Sequence, residues 1–539
     1  MRRQTNTIGI DKLKYYLIIL GMINVLTITY SLGTYGAGYF MLTLFLVGSV
    51  LALVSIWISD FIAKYVKGRA ARKQYINAKH FYKGALISVG IPAFVLTVLI
   101  LVFGNMIGKF LFKDTFIGVC IIVAAPIIFL WTISEIISGY YRGMGMVKTA
   151  KIFMLVRQVS IFFFSLVAME RFMKYGEKIA SLLHNQGLTS VYGAIGSLAG
   201  IGFGCFLGLL VLFVFWILLH GEFNRLYDQD TTKYPESVLD CSKIILVSGM
   251  FGGIKLFFLS APLLVDFVLY IHICMKNVSS PEYMKIAGNY FGIILPVFVI
   301  IIYVFLLWNN RNFKGLGGLF RNEDYMQIRE RRMGILLNLL VYVLPISAAI
   351  AVLAQPLCKI LRCDVNEDTT RLFMLSAMTV FTFVFSSMEQ RWYSVLNEVL
   401  LPFIAISAGF VVQTILAFTC FKIDRAMLGI TIPYIIEHVI IALILFLFVI
   451  RKIRLSSVFF KKMIMIIIVA LASVLTMLLI YQIGCSKLLP EVAILICVIP
   501  GVIIYIVALT ALRLISSSEA ERMPGGLLFL IVNRFIRQE

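Results

Sequence analysis

Charge is what this sequence has least of. Only 14% of its 539 residues are Asp, Glu, Lys or Arg, and 61% are hydrophobic, against about a quarter and somewhat under half in soluble domains. A soluble fold of this length needs a charged exterior that these residues cannot supply. Ligand-bearing chemistry is thin as well. There are five histidines, and nine cysteines are scattered without a CxxC or a His/Cys cluster of zinc-ligand spacing, which excludes a zinc module and a disulfide framework. Only Cys358 and Cys363 share an expected external loop, where a disulfide and two free thiols both stay open. No long polar segment exists to form an appended domain: the longest internal connections are His220 to Lys243 and Asn309 to Arg332. No nucleophile–base or metal constellation is visible, so the expectation is a non-enzyme without cofactor or metal.

What is present is a series of apolar runs of about 20 residues, the length a helix needs to cross the hydrocarbon of a bilayer. They are continuously apolar, without the period-two alternation of a membrane β-barrel. The class is therefore an all-α integral membrane protein of about fourteen transmembrane helices. The spans read as 15–33, 37–59, 84–108, 115–139, 152–170, 190–219, 244–272, 286–308, 334–356, 372–390, 400–421, 427–450, 463–484 and 490–512. The first is read as a retained span, since no small-residue cleavage site follows the basic start.

The net charge of +21 is an orientation signal and not a nucleic-acid footprint. The amino terminus, the even-numbered connections and the carboxyl terminus hold 33 Lys and Arg, and the odd-numbered connections hold 13. Basic residues mark the cytoplasmic side, so both termini are expected in the cytoplasm of a multi-pass plasma-membrane protein. The other two of the 48, Arg157 and Lys255, fall inside spans. Ionisable residues there usually face a bundle interior or cavity.

Lys255 lies near the middle of the seventh span, in Gly252-Gly253-Ile254-Lys255-Leu256, as a cationic contact for an anion or as a paired or snorkelling lysine. Arg157 and Glu135 sit at similar depth on consecutive spans, which makes an ion pair the default and a substrate-facing arginine the alternative. Arg142, in the break after the fourth span, would meet a phosphate at an entrance or sit among anionic headgroups. Asp266 and the pair Glu437-His438 are candidates for a coupling cation or proton, with a structural hydrogen bond as the competing role. Glu389 and Arg391 read as an interfacial pair. Gly525 to Arg537 reads as an amphipathic surface helix.

Two halves are suggested by matched breaks, a pattern common among transporters. Gly139-Tyr140-Tyr141-Arg142-Gly143-Met144-Gly145 follows the fourth span, and Arg391-Trp392-Tyr393-Ser394 follows the tenth. The division expected is a six-helix bundle over 1–220, a linker over 221–243, a pseudo-symmetric six-helix bundle over 244–450, two extra helices over 451–514 and a tail over 515–539. With Gly36-Ala37-Gly38-Tyr39-Phe40 entering the second span and a basic stretch after Ser59, the chain resembles the polysaccharide-biosynthesis branch of the multidrug/oligosaccharidyl-lipid/polysaccharide exporter superfamily, the sporulation-protein and lipid II flippase-like members above all. Asp266 stands where that branch often has an aspartate.

The resemblance implies a V-shaped pair of bundles and a flippase for polyprenyl-diphosphate-linked saccharides. Lys255, Arg157 and Lys64 would meet the diphosphate, and the last two spans would form a groove for the lipid tail. A monomer in the lipid bilayer is expected, with envelope glycosyltransferases or polymerases as partners and, since no RNA- or DNA-binding motif is visible, no nucleic acid. No Arg or Lys lies between Tyr15 and Gly33, where lipid II flippases carry an arginine, and Asp60 follows Ser59 where relatives carry a base. The saccharide therefore stays open. A cation-coupled exporter of amphipathic drugs and a non-transporting scaffold of an envelope complex remain the alternatives.

Overall fold

The computed structural model describes residues 5–275, 280–313, 315–363, 367–396, 398–423, 426–453, 455, 457–485, 488–523 and 525–537. Every regular element among them is helical. In hydrocarbon each backbone N–H and C=O must be satisfied internally, and a continuous helix does this without a neighbour. Among the described residues thirteen helical segments are long and apolar enough to cross a membrane, the first being Lys12–Ala71. That segment holds two spans. Lys14 and Asp60 are 46 residues apart, which unbroken helix would separate by about 69 Å, yet their charged groups lie 2.8 Å apart. The chain turns back at Gly33, whose φ of 70° and ψ of 168° need a residue without a Cβ. Among the described residues this gives fourteen segments able to span.

Contacts at the two ends of residues 1–296 show the alternation that the basic residues implied. At one end Lys14 and Arg142 both reach Asp60, Arg69 pairs with Glu236, and the Tyr140 and Tyr227 hydroxyls meet at 2.8 Å. The amino terminus and the second, fourth and sixth connections gather there. At the other end Tyr39 donates to Asp114 at 3.0 Å, Tyr283 donates to the Phe112 carbonyl, and Lys113 donates to the Ile271 carbonyl at 3.2 Å. The first, third and seventh connections meet there. Asp114 also caps the fourth span, accepting from the Ile117 N–H at 3.1 Å, so one carboxylate starts a helix and ties it to the second span.

The chain forms two compact units, residues 1–296 and 297–539. In the first, the seventh span and the start of the eighth pack on the opening helical hairpin. The segment 221–243, read from sequence as a linker, is docked: Thr231 N–H donates to the Lys73 carbonyl at 3.0 Å and Glu236 N–H to Asn77 Oδ1 at 2.8 Å. Gly288 marks the tightest crossing, where a Cβ would lie 1.8 Å from the Thr34 carbonyl oxygen. Gly288→Val is therefore expected to cost more than the 1–3 kcal/mol usual for overpacking, since backbone cannot rotate away as a side chain can. Thermal unfolding in detergent checks it; an unchanged midpoint would mean the two helices do not touch.

Three spans carry the same bend. Five-residue π-helical turns at Leu86–Gly90, Tyr290–Ile294 and Leu339–Val343 stand immediately before Ile91-Pro92, Leu295-Pro296 and Leu344-Pro345. Proline has no N–H to donate and its ring crowds the carbonyl four residues back; a widened turn absorbs both defects. The third, eighth and ninth spans share the device. In the second unit the ninth, thirteenth and fourteenth spans share one apolar core with Ile466, Leu509 and Phe529, and Tyr505 donates to the Val341 carbonyl at 3.0 Å. The amphipathic tail is helical over Gly526–Arg537. It turns Phe529 inward and leaves Leu527 and Leu528 exposed, which suits a helix half on protein and half on lipid.

Candidate functional site

Arg157, Arg332 and Lys255 stand on helices that carry spans, and the interior treats each differently. Arg157 Nη2 is 2.8 Å from Glu135 Oε1 with both side chains nearly buried, so the ion pair expected from their matched depth forms. The guanidinium also lies 3.7 Å from the ring centre of Trp131 and 4.7 Å from that of Phe153, a stacked arrangement suited to arginine.

Arg332 is the second. The sequence count ended a cytoplasmic connection at Arg332 and paired Glu389 with Arg391 at the interface; Arg332 is instead buried on the helix Tyr325–Asn338, and it, not Arg391, pairs with Glu389. Arg332 and Glu389 are 0% and 1% exposed and lie 3.1 Å apart. Trp392 and Phe446 stand 5.3 and 5.2 Å from the guanidinium. Arg391 instead donates to Asn310 and lies over Phe313. Arg332 follows Arg329, Glu330 and Arg331, so local hydropathy reads the run as solvated. The signal was the lone acid Glu389 in an apolar run, which needs a cation.

Lys255 is the third and behaves otherwise. It is half-buried, and among the described residues no hydrogen bond or ion pair reaches it. It stands on the short helix Met250–Ser260, between the π turn Ile245–Gly249 and the new helix begun by Pro262. Beside it Gly253 lies against the Leu53 carbonyl. Asp266 is fully buried on Pro262–Ile273, about 16 Å further along at helical rise, too far to pair with Lys255.

At the basic end, Arg142 donates to Asp60 at 2.6 Å and to Ser59 at 3.3 Å, so it is engaged within the protein. Lys64 is exposed one turn beyond Asp60. Burial pulls the Asp60 carboxyl upward, but the Lys14 ammonium and the Arg142 guanidinium outweigh it and hold the pKa down at about 2. A depressed carboxyl stabilises the fold fully above its unfolded value near 4 and loses that contribution as pH falls towards 2. Asp60 is more than half exposed, so the effect is small and salt-sensitive. Thermal scans between pH 5 and pH 2 should show an acid-dependent loss that is reduced in Asp60→Asn; equal losses would remove Asp60 from the account.

Glu437 and His438 are adjacent in sequence but point apart, because successive helical residues are about 100° apart. Glu437 is fully buried against Gly409 of the eleventh span, and its carboxylate oxygens have no hydrogen-bond partner among the described residues. His438 Nδ1 lies 3.2 Å from Ser386 Oγ of the tenth span, and its ring stands edge-on to Phe383 and Tyr434. That is the interhelical link weighed from sequence. No disulfide joins Cys358 and Cys363, whose thiols are in hydrogen-bonding contact. An almost wholly apolar groove of about 450 Å³ runs between the eighth, ninth, thirteenth and fourteenth spans and the tail, past Trp308, Pro345, Met477, Val498 and Phe529.

The fold is similar to that of solved membrane transporters. A lipid II flippase, MurJ, in an inward-closed conformation matches with a TM-score of 0.65 at 12% identity, over 94% of this chain and 98% of that one. An inward-facing multidrug resistance MATE transporter of the MOP superfamily matches with a TM-score of 0.57 at 12% identity, over 83% and 96%. The chain has the MOP-superfamily transporter fold. A third MOP member, from Pyrococcus furiosus and described by a binding pocket of reversed polarity, matches with a TM-score of 0.53 at 14% identity, over 82% and 95%. No family model and no curated protein matches the sequence. Within the MOP fold, Lys255 stands on the bent seventh span and the apolar groove on the last two spans.

Proposed function

We propose that this MOP-fold protein translocates a polyprenyl-diphosphate-linked saccharide, a cell-wall or surface-polysaccharide precursor, from the inner to the outer leaflet of the cell membrane by alternating access. The observation that carries the reading is Lys255, a half-buried cation on a broken span with no partner among the described residues. A cation kept unpaired at that depth is costly, and an anion in transit relieves the cost. The groove on the last spans gives a prenyl tail an apolar path while the headgroup moves.

The basic residues orient both termini to the cytoplasm. An anion moving outward then runs down the inside-negative potential, a gain of roughly 5 kcal/mol for two charges at about 100 mV. A cation-coupled drug exporter would present Asp266 and Glu437 to its substrate and pair Lys255 away. Both acids are instead fully buried, which favours the anionic cargo. Envelope glycosyltransferases or polymerases follow as partners from the nature of that cargo, and the transporter works as a monomer.

Depletion in the native cell, followed by extraction of lipid-linked intermediates, tests the reading. One species should accumulate on the inner leaflet, and its chemistry names the saccharide. Normal levels and distribution of every such lipid would overturn the proposal.

A further inference from the structure

A second site lies away from Lys255, at the end of the first unit where the basic connections meet. Three helices, Tyr75–Ala85, Thr115–Gly143 and Gly187–Asp228, turn matching stripes into one pocket of about 190 Å³. The first contributes Lys79, Tyr82 and Lys83, the second Ile137, Tyr140 and Tyr141, and the third Trp216, His220, Phe223, Asn224 and Tyr227. Each stripe has the i, i+3, i+4 spacing that puts residues on one helical face. Three helices aiming such faces at one hollow make a built pocket, not a chance dent.

Its wall is held before any ligand arrives. The Tyr82 and Tyr140 rings are 4.8 Å apart, and Phe223 stacks on Tyr140 at 5.7 Å and on Tyr141 at 5.8 Å. The Tyr140 and Tyr227 hydroxyls are bonded at 2.8 Å, and Lys79 Nζ stands 4.8 Å from the Tyr227 ring centre. Two lysines, a histidine and phenolic donors face the pocket, and no acid lines it. Phe213 and Ile217 are exposed on the same helix beside Trp216 of the lining, which makes an apolar track leading from the pocket.

We infer that this pocket binds the phosphate of an anionic phospholipid headgroup from the leaflet at the basic end, with the acyl chains lying along the sixth span. The volume admits a headgroup and not its chains, and the charge is of one sign. Basic pockets between spans at that face are where anionic headgroups bind. The site does not depend on the transport reading, since it involves neither Lys255 nor the groove of the second unit.

The test is lipid retention by the purified full chain, measured by native mass spectrometry after equilibration with phosphatidylglycerol, with phosphatidylcholine or with inorganic phosphate. Lys79→Gln/Lys83→Gln is compared with Lys67→Gln/Lys148→Gln, an equal loss of charge at exposed positions on the same end. Phosphatidylglycerol should bind the unmutated chain and the control pair alike. The pocket pair should weaken it by roughly thirtyfold, from about a factor of five per lysine. Equal retention of phosphatidylcholine, equal weakening by the control pair, or displacement of the lipid by inorganic phosphate would each overturn the inference. Co-elution of both variants with the unmutated protein on size exclusion keeps a folding defect from passing for a binding one.

Discussion

Arg332→Ala is expected to destabilise the second unit by about 3–5 kcal/mol, the range seen when one partner of a buried ion pair is removed. The cost comes from what is left behind. Glu389 is 1% exposed, and its partner donates from one Nη2 to both carboxylate oxygens, at 3.2 and 3.1 Å. Without it a carboxylate sits in low dielectric or takes up a proton, and both routes are unfavourable. Trp392 and Phe446 also lose the guanidinium they flank. The double change Arg332→Met/Glu389→Leu removes both charges and keeps most of the volume, so it should recover most of the loss. Unfolding midpoints of the single and double variants in detergent decide the matter. A single variant as stable as the parent, or a double variant worse than the single, would contradict the pairing as the cause.

The second large effect is on transport. Lys255→Ala should lower translocation of the lipid-linked cargo at least tenfold while leaving the unfolding midpoint near that of the parent. The two readouts separate because no hydrogen bond or ion pair among the described residues depends on this side chain. Removing an unpaired half-buried cation even relieves a desolvation penalty. Lys255→Arg, which keeps the charge, should retain most of the activity. Arg157→Ala offers the contrast: its guanidinium is tied to Glu135 at 2.8 Å and stacked on Trp131, so its loss should show first as reduced stability. The measurement is the inner-leaflet level of the accumulating lipid in cells where the variant is the sole copy. Full activity for Lys255→Ala would sink the role assigned to that lysine.

Much of the architecture is written locally and was legible before any tertiary contact was known. Continuous apolar runs dictate helices, because lipid offers the backbone no other partner. The uneven Lys and Arg counts set which connections share a side, and the contacts from Lys14, Arg69 and Tyr140 at one end and Tyr39 and Lys113 at the other follow that order. The Arg157–Glu135 pair was readable too, since both residues lie near the same turn between neighbouring spans.

Pairings between distant spans were not legible in this way. Arg332 looks like one more basic residue in a charged run, and only the tenth span beside it, bringing Glu389, makes it interior. Glu437 and His438 look like a pair because they are neighbours in sequence, yet helical rotation sends one against Gly409 and the other to Ser386. The pocket of Lys79, Tyr140 and Tyr227 joins residues from three helices, each ordinary on its own helix. By itself the sequence determined that this is a many-span helical membrane protein and how its connections alternate, because hydropathy and charge act on each segment separately. Which buried charges pair with one another, and that Lys255 has no such partner among the described residues, only the packing of the helices decided, because an ion pair depends on the distance between two groups and no local pattern encodes that distance.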